Sequence, residues 1–486
     1  MMGRSMLAYI PVNLANLLVS FGTIVVLTRL LGSEEFGRYA LAVISMHLAH
    51  MGVFTWLEAA MARFQARAER NGDVNSHLKT LYAYGVGTAI IGFSLIIAVI
   101  FALPLSIQMQ NLMIFVMATT TIQIFMNLGM EAHKASHRIK RYSTTYSAQT
   151  LLSFSIGIIL ILATPLREVA PFIGIVVSLF LALCIDLPFM FKKMKGGKIE
   201  KERANTYFKY GMPICVSLML TYMLNSADVY LIAYFMGESA AGQYNAGYNL
   251  ANRSIETMFV WISMAATPIA VTLMEKEGVE KSVEVLRNYG ATLLWLSLPA
   301  ATGIALVAPE FGYVLGESVR AEAVSIMPLI AFAAVLNGLI NFYAQRAFML
   351  SGRTGMFVWA LIPPVLLNIG LNIWLIPKFG LLGAVYATIT SYALGFVLAI
   401  IVGRRYYPLP VPVRALLEIS VACLLMAGVV MALPNLDGLN PFIALLIKVG
   451  VGAVIYGLVS FATNAANSRQ LVIKLLENRG LKTRAS

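Results

Sequence analysis

Asn245, Asn249, Arg253 and Glu256 recur every three or four residues within a stretch that is otherwise apolar. At helical spacing they share one face. Asn13, Asn16, Ser20 and Thr23 form a second such stripe, and Asn337, Asn341 and Gln345 a third. Asn225 with Asp228, Gln123 with Asn127, and Asn368 with Asn372 are shorter versions. Polar groups facing lipid are costly, so these faces should meet protein or water. Two readings stay open for any single asparagine, the wall of a wet cavity or an interhelical hydrogen bond. Arg253 lies about ten residues inside its apolar stretch, too deep to reach water easily on a lipid-facing helix. It either contacts a phosphate, with which a guanidinium pairs well, or pairs internally with Glu256 or Asp228. Asp228 and Glu256 are also the candidates for gating and for coupling to protons or sodium, since a buried carboxylate can exchange protons near neutrality.

The surrounding chain sets what these residues can be. It has 486 residues, 59% hydrophobic and 12% charged, with a mean hydropathy of +0.77. Soluble domains carry about 25% charged residues. Apolar stretches of roughly 20 residues, enough to cross a bilayer core, recur along the whole length, and about fourteen are expected. The fold class is an all-α polytopic membrane protein. Strands of about ten alternating residues, as a membrane barrel needs, do not occur. Cys184, Cys215 and Cys423 lie in apolar segments and read as small core hydrophobes. His133 and His137 beside Glu131 lack metal-helix spacing and read as a solvated basic loop. No nucleotide-binding or nucleophile-elbow motif appears, so neither an enzyme nor internal ATP hydrolysis is expected. The net charge of +13 does not indicate nucleic acid, because the basic residues sit in alternate loops.

Those loops orient the chain. With the N-terminus in the cytoplasm, most Lys and Arg fall inside, and only Arg29, Arg38, Arg167, Arg320 and Lys378 fall outside. Both termini are then cytoplasmic. Glu58, Glu131 and Asp186 lie near inner helix ends, as candidates for an inner gate. Arg29 reads as an interfacial helix-end residue and Lys448 as snorkelling or local packing. A basic stretch, 191–208, divides the chain. Gly32, Gly37 and Tyr39 before it and Gly237, Gly242 and Tyr244 after it both spell G-x4-G-x-Y, each at the exit of the first long apolar span of its half. The chain therefore reads as a parallel duplication: spans 1–6 over 1–190, the linker 191–208, spans 7–12 over 209–404, an additional pair of spans over 405–463, and a basic tail over 464–486. Leu471, Leu475 and Leu476 in that tail suit either an amphipathic surface helix or a solvated segment.

These residues carry a family resemblance. Thr28-Arg29-Leu30-Leu31-Gly32 with Glu35-Phe36-Gly37 and Tyr39 resembles the opening of polysaccharide-export flippases. Asn372 through Gly380, followed by Gly383-Ala384, is similar to that family's N-x-x-L-I-P-x-x-G-x-x-G-A segment. The resemblance covers nearly the whole chain and points to Wzx-type flippases of the multidrug/oligosaccharidyl-lipid/polysaccharide exporter superfamily. It implies two pseudo-symmetric six-helix, MATE-like lobes, alternating access, and an undecaprenyl-diphosphate-linked oligosaccharide as cargo. It also implies the bacterial inner membrane as location and surface polysaccharide synthesis as context. Amide-rich and aromatic walls suit sugars, so Asn16, Ser20, Asn225, Asn245, Asn249, Asn337 and Asn341 become cavity candidates, and Arg253 the diphosphate candidate. The expected partners are the lipid-linked oligosaccharide, the bilayer and polymerase machinery, with the protein a monomer. No cofactor is expected beyond a coupling proton or sodium ion. A lipid II flippase, a cation-coupled antiporter of the same superfamily and, further off, a polysaccharide polymerase are the alternatives.

Overall fold

The structure, a computed structural model, describes residues 10–277, 279–434, 436 and 438–469, without the side chains of 265–278. Among these residues every regular element is helical. We number the long helices α1 (Ile10–Leu30), α2 (Ser33–Val53), α3 (Thr55–Asn71), α4 (Val74–Ala102), α5 (Ile107–Ala135), α6 (Ile139–Ala163), α7 (Ala170–Met194), α8 (Lys201–Met236), α9 (Glu238–Glu277), α10 (Val279–Phe311), α11 (Glu317–Leu350), α12 (Thr354–Phe379), α13 (Leu381–Arg404), α14 (Val413–Met431) and α15 (Pro441–Thr463). The tail leucines of the sequence reading lie outside the described residues.

Local chemistry sets the helix ends. Ser106 accepts the Met109 amide at the start of α5, and Asn440 accepts the Phe442 amide ahead of Pro441 at the start of α15. Gly72 ends α3 in the left-handed region, φ +75°. α2 and α3 meet at 53°. There the Phe54 amide reaches the His50 carbonyl, and Leu57 N–H then bonds Phe54 O only three residues back, which turns the chain.

Twelve helices are long and apolar enough to cross a bilayer, or thirteen if the bent α2–α3 pair is one span. These counts are of the described residues, and the expected number of fourteen is not confirmed by them. α9, read from sequence as the eighth span, is not among them; it carries the stripe of Asn245, Asn249, Arg253 and Glu256. Leu95 and Leu424, 63% and 72% exposed, belong to a wide band of uncovered aliphatic and aromatic side chains that only lipid can cover.

The helices gather into two compact units, Met1–Gln243 and Tyr244–Ser486, so α8 and the first residues of α9 fall in the first. In that unit α6 packs on α7 and α1, α3 on α8 and α5, and α2 on α5 and α8. Its buried core includes Phe54, Leu57, Met61, Leu78, Leu81, Ile124 and Leu128. In the second unit α12 packs on α13, α10 on α11, and the additional pair α14–α15 on α10. Trp295 Nε1 donates to Ser460 Oγ, and Tyr456 Oη donates to Trp295 O at 2.7 Å, which fixes that pair.

Candidate functional site

The bend between α2 and α3 creates a polar space inside the first unit. His47 and His50 come from the end of α2, and Glu58 from the first turn of α3. A stripe on α5 supplies Thr120, Gln123, Asn127, Glu131 and Lys134, and α6 supplies Tyr142 and Tyr146. They enclose a cavity of about 310 Å³. A second, of about 170 Å³, adjoins it and shares Gln123, Asn127 and Tyr146 while adding Gln149, Thr150 and Ser153. One end is therefore charged, and at the other the polar groups are all amides and hydroxyls, set among Met46, Met126, Met130 and Ile175.

Within the charged end His50 Nε2 pairs with Glu58 Oε1 at 2.9 Å, and Asn127 Nδ2 lies 3.4 Å from the same nitrogen. Lys134 pairs closely with Glu131 and sits 5.3 Å over the Tyr142 ring. Tyr142 and Tyr146 rings are 5.7 Å apart, and Tyr146 Oη donates to Asn16 Oδ1 at 3.1 Å. Asn16 thus joins the cavity wall through Tyr146. A space with carboxylate, ammonium, amide, hydroxyl and phenol groups can hydrogen-bond a polyhydroxylated compound, and its ring faces can pack on apolar patches of a sugar.

At the N-terminal end of α2 the two G-x4-G-x-Y segments meet. A Cβ on Gly37 would lie 1.8 Å from Glu238 O, and one on Gly242 would lie 2.3 Å from Ser33 O. Ser33 and Ser239 hydroxyls are 2.7 Å apart. Arg38 donates to Glu168 at 2.7 Å, Glu34 at 2.7 Å and Glu238 at 3.1 Å. Beside it Arg167 forks onto both oxygens of Glu35 at 2.7 Å, and Glu35 accepts the Gly32 amide.

The other candidates are distributed as follows. Ser20 is half-buried on α1, and Asn225 is half-buried with Asp228 fully buried on α8. In the second unit Arg253 pairs with Glu256 at 3.4 Å, both side chains being nearly half exposed at 47% and 40%. Asn249 donates to the Asn245 carbonyl at 3.0 Å. Asn341 donates to Asn337 Oδ1 at 2.8 Å, across a π-helical turn over Leu339–Ala344. Asn368 and Asn372, on one helix, are fully buried and bonded to each other at 3.1 Å.

Two expectations are corrected. His133 is buried, bonding Asp186 at 2.7 Å, because α7 closes over the end of α5; it is no solvated loop residue. Cys184 is exposed on the apolar surface of α7, while Cys215 and Cys423 are buried. Lys448 is paired with Glu310 on α10, the local packing alternative of the sequence reading. Sequence reasoning missed His47, His50 and Gln149 as cavity residues. Two histidines three apart just before a helix break, with a glutamate just after it, were the available signal.

The fold and this interior define a multi-pass helical membrane protein with a polar cavity among its spans. The chain belongs to the family described as polysaccharide biosynthesis protein, matched over residues 26–318. It is similar to the probable low-salt glycan biosynthesis flippase Agl15 of Haloferax volcanii, 24% identical over 287 residues, 58% of this chain and 60% of that one. It is similar also to the probable flippase AglR of the same organism, 28% identical over 260 residues, 51% of this chain and 52% of that one. The chain thus matches between about half and 60% of the length of these curated relatives. Among solved structures, the lipid II flippase MurJ in an inward closed conformation aligns with a TM-score of 0.75 at 13% identity, over 96% of this chain and 100% of that one. An inward-facing multidrug resistance MATE family transporter of the MOP superfamily aligns at 0.65 with 15% identity, over 80% of this chain and 93% of that one. At such identities the likeness establishes the fold, and it is the MATE-like architecture expected from sequence.

Proposed function

We propose that the protein is a flippase that moves a lipid-linked oligosaccharide between membrane leaflets for glycan or surface polysaccharide synthesis. The observation that carries this reading is the first-unit cavity, which offers amides, hydroxyls and tyrosine rings inside a bundle whose outside is apolar. The family and the names of the relatives agree with it. A polyprenyl tail can remain in lipid, so only the glycan and its phosphates need a polar route. In this reading Gln123, Asn127 and Asn16 with Tyr146 bond sugar hydroxyls. Asn225, Asn245, Asn249, Ser20, Asn337 and Asn341 remain further candidates. Arg253 takes the phosphate when it leaves Glu256, and Asp228 and Glu256 exchange a coupling proton or sodium ion. Cargo on undecaprenyl diphosphate, cytoplasmic termini, a bacterial inner membrane, a monomeric state and a partnership with polymerase machinery complete the proposal.

The test is a gene deletion in the native host with mass spectrometry of polyprenyl-linked intermediates. Accumulation of a finished oligosaccharide lipid, with loss of the mature glycan, supports the reading and identifies the cargo. A build-up of peptidoglycan precursor instead points to lipid II. An unchanged lipid pool, in a strain cleared of related flippases, refutes transport of lipid-linked glycans and favours a small-molecule antiporter.

A further inference from the structure

Three cations converge on one phenylalanine at the basic end of the first unit. Arg141 Cζ lies 4.1 Å from the Phe189 ring centroid, Lys193 Nζ 5.1 Å and Arg138 Cζ 5.2 Å. The arrangement is built by the turn that ends α5. Arg138 N–H bonds His133 O and His137 N–H bonds Lys134 O, with His137 in the left-handed region at φ +56°. This is a Schellman turn that carries histidine where glycine is usual. It sends Arg138 and Arg141, at the start of α6, back over the last turns of α7. Lys193 comes from the end of α7, where cations suit the helix dipole.

The acids nearby do not balance the cluster. Asp186 is shared between His133 at 2.7 Å and Arg141 at 3.1 Å. Glu131 is taken by Lys134. Glu69 accepts from the neutral Gln65 and Ser136 and faces Arg138 and Lys193 without a salt bridge to either, so with Asp186 two carboxylates stand against three cations. Among the described residues Arg138 and Lys193 form no salt bridge, although both are half-buried. A ring face attracts cations without neutralising them, and partly desolvated like charges call for an anion.

What leads to the cluster identifies the anion's carrier. Leu181, Cys184, Ile185 and Pro188 follow one another along α7 at helical spacing, and all four are exposed. Leu181 and Ile185 are 47% and 69% uncovered. The stripe runs along the lipid-facing side of a membrane-spanning helix and ends at the three cations. We propose that this is a binding site for an anionic phospholipid. Its acyl chains lie along the α7 stripe and its phosphate sits among Arg138, Arg141 and Lys193 beside Phe189. A basic pocket between helix ends at the membrane surface is the kind of site that holds such head groups. The proposal needs only that the chain spans a bilayer and does not depend on the cargo.

Test it on the purified full chain in a neutral detergent, by native mass spectrometry and thermal unfolding. The additives are phosphatidylglycerol, phosphatidylcholine and inorganic pyrophosphate, each separately. Phosphatidylglycerol is expected to remain bound and to raise the melting temperature, and the other two are not. Arg138→Gln and Lys193→Gln should each weaken phosphatidylglycerol binding about fivefold, from roughly one interfacial charge apiece. Arg138→Lys and the basic-loop control Lys201→Gln should bind as the unaltered chain does. Melting in phosphatidylcholine checks that each variant is folded. Unchanged phosphatidylglycerol binding in folded Arg138→Gln and Lys193→Gln overturns the proposal. Equal binding of pyrophosphate overturns the lipid assignment, and equal binding of phosphatidylcholine overturns the role of the cations.

Discussion

Replacing Arg38 with methionine removes the one cation that holds Glu34, Glu168 and Glu238 together, and the consequence can be sized from the structure. The Arg38 side chain is 11% exposed. Glu34 is 67% exposed, so its share is under about 1 kcal/mol. Glu168 and Glu238 are 15% and 26% exposed. Taking one partner from a buried ion pair costs about 3–5 kcal/mol, and the lower end applies where the acids keep some water. Only the Glu238 contact crosses from the α2 start to the α9 start, so a share of about 1.4 kcal/mol is lost there, which raises the separated population about tenfold. The assay is maleimide labelling of Ser239→Cys, with Cys184, Cys215 and Cys423 replaced. The new thiol faces Ser33, whose hydroxyl now lies 2.7 Å from that of Ser239. Where opening is fast relative to labelling, the rate follows the open population. Arg38→Met should therefore label about tenfold faster, and Glu34→Gln, whose contact lies within α2, should change the rate by about twofold or less. A labelling rate unaltered by Arg38→Met, in protein that melts normally, would refute a role for Arg38 in holding the α2 and α9 starts together.

Three further outcomes follow from the same geometry. Ser33→Cys with Ser239→Cys should form a disulfide under mild oxidation, stop transport and recover with reductant; a pair that never cross-links removes the close approach. Gly37→Val should lower the melting temperature, with an overpacking cost of about 1–3 kcal/mol, and should free the Ser239→Cys thiol. Gly87→Ala, where a Cβ meets nothing within 4 Å, should do neither. Asn127→Ala should reduce glycan-lipid transport with little change in melting, whereas buried Asn368→Ala should cost about 1–3 kcal/mol of stability; the reverse pattern would make Asn127 structural glue and Asn368 functional.

The helices were legible because span length and apolar composition are local properties, and so was the lipid-facing surface they imply. What escaped sequence reasoning depended on contacts distant in the chain. The bend at Phe54 was not legible, because 38–61 reads as one span and Gly52 is the only breaker near it, and a lone glycine in an apolar run is weak punctuation. His47 and His50 form no stripe of their own and acquire partners only when the bend brings Glu58 back and α5 presents Asn127. His133 looked solvated from its basic neighbours, but its environment is set by Asp186 on α7. Arg38 was visible as an outer basic residue. Of its three acids only Glu34, four residues earlier, could be paired from spacing alone. In the second unit the Arg253–Glu256 pair was the local alternative, and it forms.

The duplicated motif has a physical reason to occur twice. Gly37 accepts the backbone of Glu238, the residue just after Gly237, and Gly242 accepts the backbone of Ser33, the residue just after Gly32. Each copy supplies the gap that the other copy's helix start fills, so the contact is reciprocal about a local two-fold relation. A side chain at either glycine would force both helix starts apart and would break the Ser33–Ser239 bond with them. The carboxylates Glu34, Glu35 and Glu238 in these first turns also favour the helix N-termini on which they sit. Without Arg38 and Arg167 those same acids would repel one another across a backbone contact too close to admit a methyl group. The contact is therefore small and tightly fitted, and two cations, Arg38 and Arg167, offset part of the charge of four acids around it. A junction of that kind opens at moderate cost and closes without a large apolar surface to desolvate, which is what the proposed flippase would need if these helix starts part during transport.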